Sequence, residues 1–240
     1  MSCMMTFDVN GNVLDHTITE SVICVDERMS YTGVKAILEG QEHPEGERED
    51  IRALCFLMKE AAAILKEKRR KRGAIDFDFP ESKIIVDDRG YPIDIHPYER
   101  NVATDIIEDF MLLANETVAE DYFWQEIPFL YRTHETPDSD KIKKLDTFIH
   151  NFGYYMKTGR ENFHPKEIQK LLFSLEGEPE EPLISRLALR SMKQAKYTTL
   201  NVGHFGLSTQ YYTHFTSPIR RYPDLQIHRI IKENIHGKLN

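Results

Sequence analysis

The chain has 240 residues, 40% hydrophobic and 29% charged, with a formal net charge of -8. It is long enough to bury one large core or two small ones, and its acidic balance excludes a generally basic nucleic-acid-binding surface while leaving room for a local one. No apolar run reaches the roughly 18 residues of a membrane helix, and the start MSCMMTF lacks a charged n-region followed by an apolar h-region, so neither a helical span nor a signal peptide is expected and the cytoplasm is the expected compartment.

In chain order, residues 4–9 and 13–25 read as two strands around the turn Asn10, Gly11, Asn12, a hairpin pattern. Cys3, Cys24 and Cys55 are scattered without CxxC spacing, which disfavours a disulfide framework or structural zinc and predicts reduced thiols. Residues 32–38 predict a short helix entered at Tyr31. Leu54, Leu57, Met58, Ala61, Ile64 and Leu65 recur at helical spacing over residues 52–68, and that helix runs into a basic stretch that suits a C-terminus. Residues 74–79 alternate like a strand, with Phe77 on the face of Ile75 and Phe79. Residues 83–86 and 93–96 predict two more strands, turning at Asp87, Asp88, Arg89 and Gly90.

A long helix follows over residues 102–122, with Ile106, Phe110, Leu113 and Val118 on its apolar face. Glu108 and Asp109 interrupt that face, so at least one acid must approach the apolar side or its edge. Shorter helices are predicted over 139–152 and 165–175, the latter with Pro165 in its first turn, then over about 183–197. A final helix starts at Pro223 and reaches about Ile235. No internal repeat or low-complexity tract appears, and the chain reads as one domain of mixed α/β class.

The densest segment chemically is GHFGLSTQYYTHFTSPIRRYPDLQIHR, residues 203–229. Aromatic rings beside paired arginines, on a backbone punctuated by glycine and proline, suit a surface that stacks bases and grips phosphates. Arg220, at a turn before a helix, either reaches a phosphate bidentately or forms an ion pair with a carboxylate such as Asp224. Arg221 is either a secondary phosphate contact or structural. Thr213, His214 and Ser217 are candidate phosphate donors, whereas His204 and His228 read as packed histidines.

Four further segments accompany this one in order. ESVICVDERMSYTGVKAIL begins at Glu20, RGAIDFDFPESKIIVDDRGYPIDI at Arg72, RNVATDIIEDFMLLANETVAEDY at Arg100 and PFLYRTHETPDSDKI at Pro128. Together they cover most of the chain and resemble the ribonuclease II/ribonuclease R family, hydrolytic exoribonucleases with an RNB catalytic domain. GHFGL and SPIRRYPDL are closest to the ribonuclease R type. The resemblance implies a mixed, largely antiparallel sheet flanked by helices around an RNA channel, and processive 3'-to-5' hydrolysis of single-stranded RNA to nucleoside 5'-monophosphates. It implies single-stranded RNA as partner, with no obligate protein partner inferred. In it Arg220 contacts the scissile phosphate, Phe77 stacks bases near the 3' end, Tyr31 lies near the terminal nucleotide and Glu108 lies near the terminal ribose.

The family holds Mg2+ on an aspartate-rich motif of the kind DPxDAxDxDDA, which does not occur here. Asp76 with Asp78, and Asp87 with Asp88, offer only paired acids. The chain is accordingly expected to be the central and C-terminal part of an RNB domain, without the metal-binding motif or the S1 domain and inactive in isolation. The alternative is a non-catalytic RNA-binding or regulatory protein that has lost the metal site. A metabolic α/β enzyme with a metal at Asp76 and Asp78 is a third reading, unsupported by any glycine-rich phosphate loop.

Overall fold

The computed structural model describes residues 1–41, 48–77, 82–97, 100–158 and 163–239. The elements are β1 (Ser2–Phe7), β2 (Val13–Thr19), α1 (Tyr31–Leu38), α2 (Glu49–Arg72), β3 (Ser82–Val86), β4 (Pro92–Pro97), α3 (Val102–Trp124), β5 (Tyr131–Thr133), α4 (Ser139–Ile149), α5 (Pro165–Leu175), α6 (Glu181–Ser191), β6 (Lys196–Thr198) and α7 (Tyr222–Ile235). Among the described residues the strands form three separate antiparallel pairs, β1–β2, β3–β4 and β5–β6. The mixed α/β class holds, with the antiparallel pairing carried among the described residues by these short two-stranded ladders. Helices supply the frame.

The two long helices, α2 and α3, pack against each other. Helix α2 opens with Glu49 and Asp50 and closes with Arg69, Arg70, Lys71 and Arg72, both favourable to the helix dipole. Gly73 ends it at φ +99°, in the left-handed region. Helix α3 starts on a capping box: the Asn101 side chain accepts from Ala103 and Thr104 N–H, and the Thr104 hydroxyl accepts from Asn101 N–H.

Three apolar clusters fill the interior. One joins α1, α2 and the start of α3 through Ile37, Leu38, Ile51, Cys55 and Ile106. A second joins the end of α3, β5 and α7 through Val118, Tyr122, Phe129, Ile227 and Ile231, with β1–β2 packed on it. The third holds α4, α5 and α6 together through Ile149, Ile168, Leu175, Ile184 and Phe205. Helix α3 thus spans two clusters, and its residues reach most of the site.

Several predicted boundaries move. Strand β2 stops at Thr19, opposite Ser2, leaving Val22, Ile23 and Val25 exposed. The helix predicted to reach residue 197 ends at Ser191, and Lys196–Thr198 pair with β5 instead. Residues 74–77 form no strand: Ile75 N–H donates to the Gly206 carbonyl, while the Ala74 carbonyl is taken by Gln169 Nε2 at 2.8 Å. Both groups are thus bonded outside any β ladder. Residues 78 and 79 of the predicted strand lie outside the described residues.

Candidate nucleic-acid interface

The basic stretch at the end of α2 is committed internally. Lys66 pairs with Asp105, Arg69 with Asp109, Arg70 and Lys71 with Glu67, and Arg72 with Glu116 on α3. Lys68 Nζ donates to the Gly11 carbonyl. Arg72 grips Glu116 with both terminal nitrogens and donates from Nε to the Leu207 carbonyl at 3.1 Å, while Ser208 Oγ donates back to the Arg72 carbonyl. These contacts tie the end of α2 to α3 and to the loop that begins the 203–229 segment.

From that anchor the chain enters the Phe77 segment. Gly73 lies so close to α5 that an added Cβ would stand 2.9 Å from Lys166 Cβ. Gln169 Nε2 caps the α2 terminus through the Arg70 and Ala74 carbonyls. Phe77 is half-buried against the cluster of α4, α5 and α6, on the same side as Ile75. It borders a cleft of about 360 Å³ shared with Lys66, Arg69, Glu108 and Leu207. Phe77 and Glu108, distant in sequence, therefore line one cleft.

Glu108 accepts from Arg100 Nη2 at 2.8 Å, and Arg100 also reaches Asp76 and Asp105, each at 3.4 Å. Burial pushes the Glu108 carboxyl upward while Arg100 opposes it. Of the two acids on this turn it is Asp109 that is buried, against Arg69; burial raises its carboxyl too. Tyr31, the first residue of α1, is 50% exposed and lines a different, mainly apolar cleft of about 470 Å³ with Met29, Ile51, Met58 and Ile107. Ile107 precedes Glu108, so α3 separates the two clefts.

The 203–229 segment is held by buried polar contacts. Asn115 of α3 accepts from Phe215 N–H at 2.9 Å through Oδ1 and donates to the Tyr212 hydroxyl through Nδ2. His134 and His204 each accept a backbone N–H at Nδ1, from Gly206 and Leu207 respectively, so a neutral ring carries its proton on Nε2. Their rings meet edge to face at 5.1 Å. Burial, then the neighbouring His134 and Arg132, hold the His204 pKa down to about 3. His228 stacks on Phe215 and bonds its carbonyl at 2.8 Å. Both read as packed histidines here.

Thr213 is corrected as a phosphate donor. It is 1% exposed and its hydroxyl donates to the Leu130 carbonyl at 2.6 Å. His214 is half-buried, bonds the Tyr197 hydroxyl at 2.6 Å, and is held by burial and then by Arg221 at a pKa of about 4; it is neutral at neutral pH. Ser217 donates its backbone N–H to Asp224 Oδ1 at 2.7 Å.

The two arginines divide. Arg221, not Arg220, pairs with Asp224, at 2.9 Å from Nη2. Arg220 is exposed at the turn before α7, and among the described residues its guanidinium makes no ion pair or hydrogen bond. It is not among the residues lining the Phe77 cleft. Sequence reasoning missed Asn115, Glu116 and Gln169; an asparagine amid the buried face of α3 was the available signal. No group of three or more His, Cys, Asp or Glu among the described residues is placed to hold a metal. Asp76 pairs with Arg100, Asp87 accepts N–H bonds in its own turn, and Asp78 lies outside the described residues. Among the described residues, the Mg2+ expected of the family has no fitting ligand set.

Residues 1–237 match the RNB domain model, and the chain belongs to the RNB family of ribonucleases. Within it, similar curated proteins include ribonucleases R. The chain is 44% identical over 234 residues to ribonuclease R of Aquifex aeolicus, covering 98% of this chain and 33% of that protein. It is 42% identical to ribonuclease R 1 of Lactococcus lactis over 99% of this chain and 29% of that protein. Among solved structures, Mycoplasma genitalium RNase R in complex with ribose methylated single-stranded RNA superposes with a TM-score of 0.92 at 27% identity, covering 99% of this chain and 37% of that one. The chain spans about a third of the length of these relatives.

Proposed function

We propose that this chain supplies the phosphate- and base-contacting side of a ribonuclease R-like exoribonuclease that degrades single-stranded RNA processively from its 3' end, releasing nucleoside 5'-monophosphates in the cytoplasm. One observation carries the reading. While the basic run of α2 is consumed by internal partners, Arg220 stands exposed on a proline-flanked turn without any among the described residues. A guanidinium so placed suits a phosphate. The solved RNA complex of the Mycoplasma relative supports the same partner.

In this reading Arg220 stabilises charge on the scissile phosphate. Phe77 stacks a base at its cleft, and Tyr31 positions the last nucleotide. Glu108 accepts a hydrogen bond from the terminal 2'-hydroxyl, the group that distinguishes RNA from DNA. Ser217 and His214 border the phosphate path, and Arg221 acts through Asp224 rather than on RNA directly. Mg2+ would be held by carboxylates other than those of this chain.

The test is hydrolysis of a 5'-labelled single-stranded RNA with Mg2+, by the 240-residue chain and by a version extended upstream through an aspartate motif. Activity only in the extended version is expected, and Arg220→Ala should lower its turnover far more than its RNA affinity. Equal loss of turnover and affinity refutes the catalytic role. RNA binding without hydrolysis in either version refutes the enzyme and leaves a non-catalytic RNA binder.

A further inference from the structure

We propose that Asp224 is the positioning residue of Arg220, a buried carboxylate that closes the turn beneath the exposed guanidinium and keeps the neighbouring Arg221 out of the phosphate site. The inference rests on the phosphate-contact reading of Arg220.

Asp224 is 0% exposed. Its Oδ1 takes two donors from the same turn, Ser217 N–H at 2.7 Å and Arg221 Nη2 at 2.9 Å. The Ser217 carbonyl in turn accepts from the backbone N–H groups of Arg220 and Arg221, at 3.3 and 3.1 Å. Ser217 is thus held through both its N–H and its carbonyl, and Arg220 lies inside the closed loop. Pro218 and Pro223 fix φ on either side of it. Asp224 also sits in the first turn of α7, where the dipole favours a carboxylate and where Arg221, the N-cap residue, provides no side-chain cap.

Stability alone does not account for a charge in this place. Asp224 Oδ2 and Arg221 Nε are both buried without a hydrogen-bond partner among the described residues, and an incompletely satisfied buried pair is a poor stabiliser compared with apolar packing. What the pair does achieve is asymmetry. Two adjacent arginines would otherwise offer a phosphate two competing geometries; tying Arg221 down leaves one, aimed by a rigid turn. Preorganisation of this kind sets the rate of a reaction whose chemistry is mostly positioning and charge stabilisation.

The experiment is a double-mutant cycle in the RNA-hydrolysing version of the protein, reading kcat and KM on a single-stranded RNA, with thermal unfolding of each variant alongside. Asp224→Ala should lower kcat about 100-fold, the penalty of an ångström-scale misplacement, with KM within about threefold. Asp224→Asn keeps an acceptor for Ser217 N–H but frees Arg221, and should lower kcat about tenfold. In an Arg220→Ala background either substitution should change kcat by less than about threefold, because its effect passes through the missing guanidinium.

Multiplicative losses in the double variants overturn the proposal, as does Asp224→Ala at parental turnover. If Asp224→Ala does not fold, the Asp224→Asn cycle decides on the same criterion. Parental turnover in Arg220→Ala refutes the reading of Arg220 itself, a result distinguishable from additivity.

Discussion

Gly73→Ala probes the joint between the α2 anchor and the Phe77 segment. Gly73 holds φ +99°, and a methyl there would meet Lys166 Cβ at 2.9 Å and the Lys166 backbone nitrogen and Cα at 3.2 Å. The conformation alone costs an L-residue about 1–2 kcal/mol. Backbone is among the atoms met, so α5 must shift as well, adding about 1–3 kcal/mol of overpacking. A loss of about 2–5 kcal/mol is expected, which at about 2–4 °C per kcal/mol lowers Tm by roughly 4–20 °C. Gly40→Ala separates the two contributions. Gly40 has φ +75° with nothing within 4 Å of the added Cβ, so only the conformational cost of about 1–2 kcal/mol applies. Urea and thermal unfolding of both variants read the difference, and aromatic near-UV signals report the displacement around Phe77. Equal destabilisation by the two substitutions refutes the claim that contact with α5 fixes this segment.

Acid should loosen the 203–229 segment before carboxylate titration does. His204 and His214 are held at about 3 and about 4, and burial lowers His134 and His228 as well. Because these folded-state values lie below that of an unfolded histidine, their stabilisation is complete above about pH 6.5 and is lost as pH falls toward 4 and then 3. The urea midpoint should therefore drop between pH 7.5 and 5, and replacing His204 by Gln should flatten that drop; an unchanged profile argues against the buried neutral ring. Asn115→Ala removes the acceptor of Phe215 N–H and a donor to Tyr212. It should cost about 1–3 kcal/mol, the usual penalty of an orphaned buried donor, measurable as a urea midpoint shift without change of slope; a loss below about 0.5 kcal/mol would place that amide in contact with water.

The elements that sequence alone determined are those written in short-range chemistry. Helices α2 and α3 were legible from 3.6-residue periodicity, α2 also from its basic end, and α5 and α7 from the prolines of their first turns, with α5 placed at its bounds. The turn at Gly11 and the bracketing of Arg220 by prolines were equally local. Family membership followed from ordered segments along one chain.

Tertiary structure decided where polar groups at long sequence separation spend their hydrogen bonds. Residues 74–77 alternate like a strand, yet their polar groups go to distant partners, the Ala74 carbonyl to Gln169, 95 positions away, and Ile75 N–H to the Gly206 carbonyl. Lys196–Thr198 became a strand only because β5 presented an open edge. Thr213 looked like a phosphate donor in a basic, aromatic segment, but burial committed its hydroxyl to the Leu130 carbonyl. The alternatives for Arg220 and Arg221 were inseparable in sequence, since both lie within one turn of Asp224. Only the folded backbone, by carrying Asp224 beneath Ser217, selects which guanidinium it holds and which it leaves to solvent.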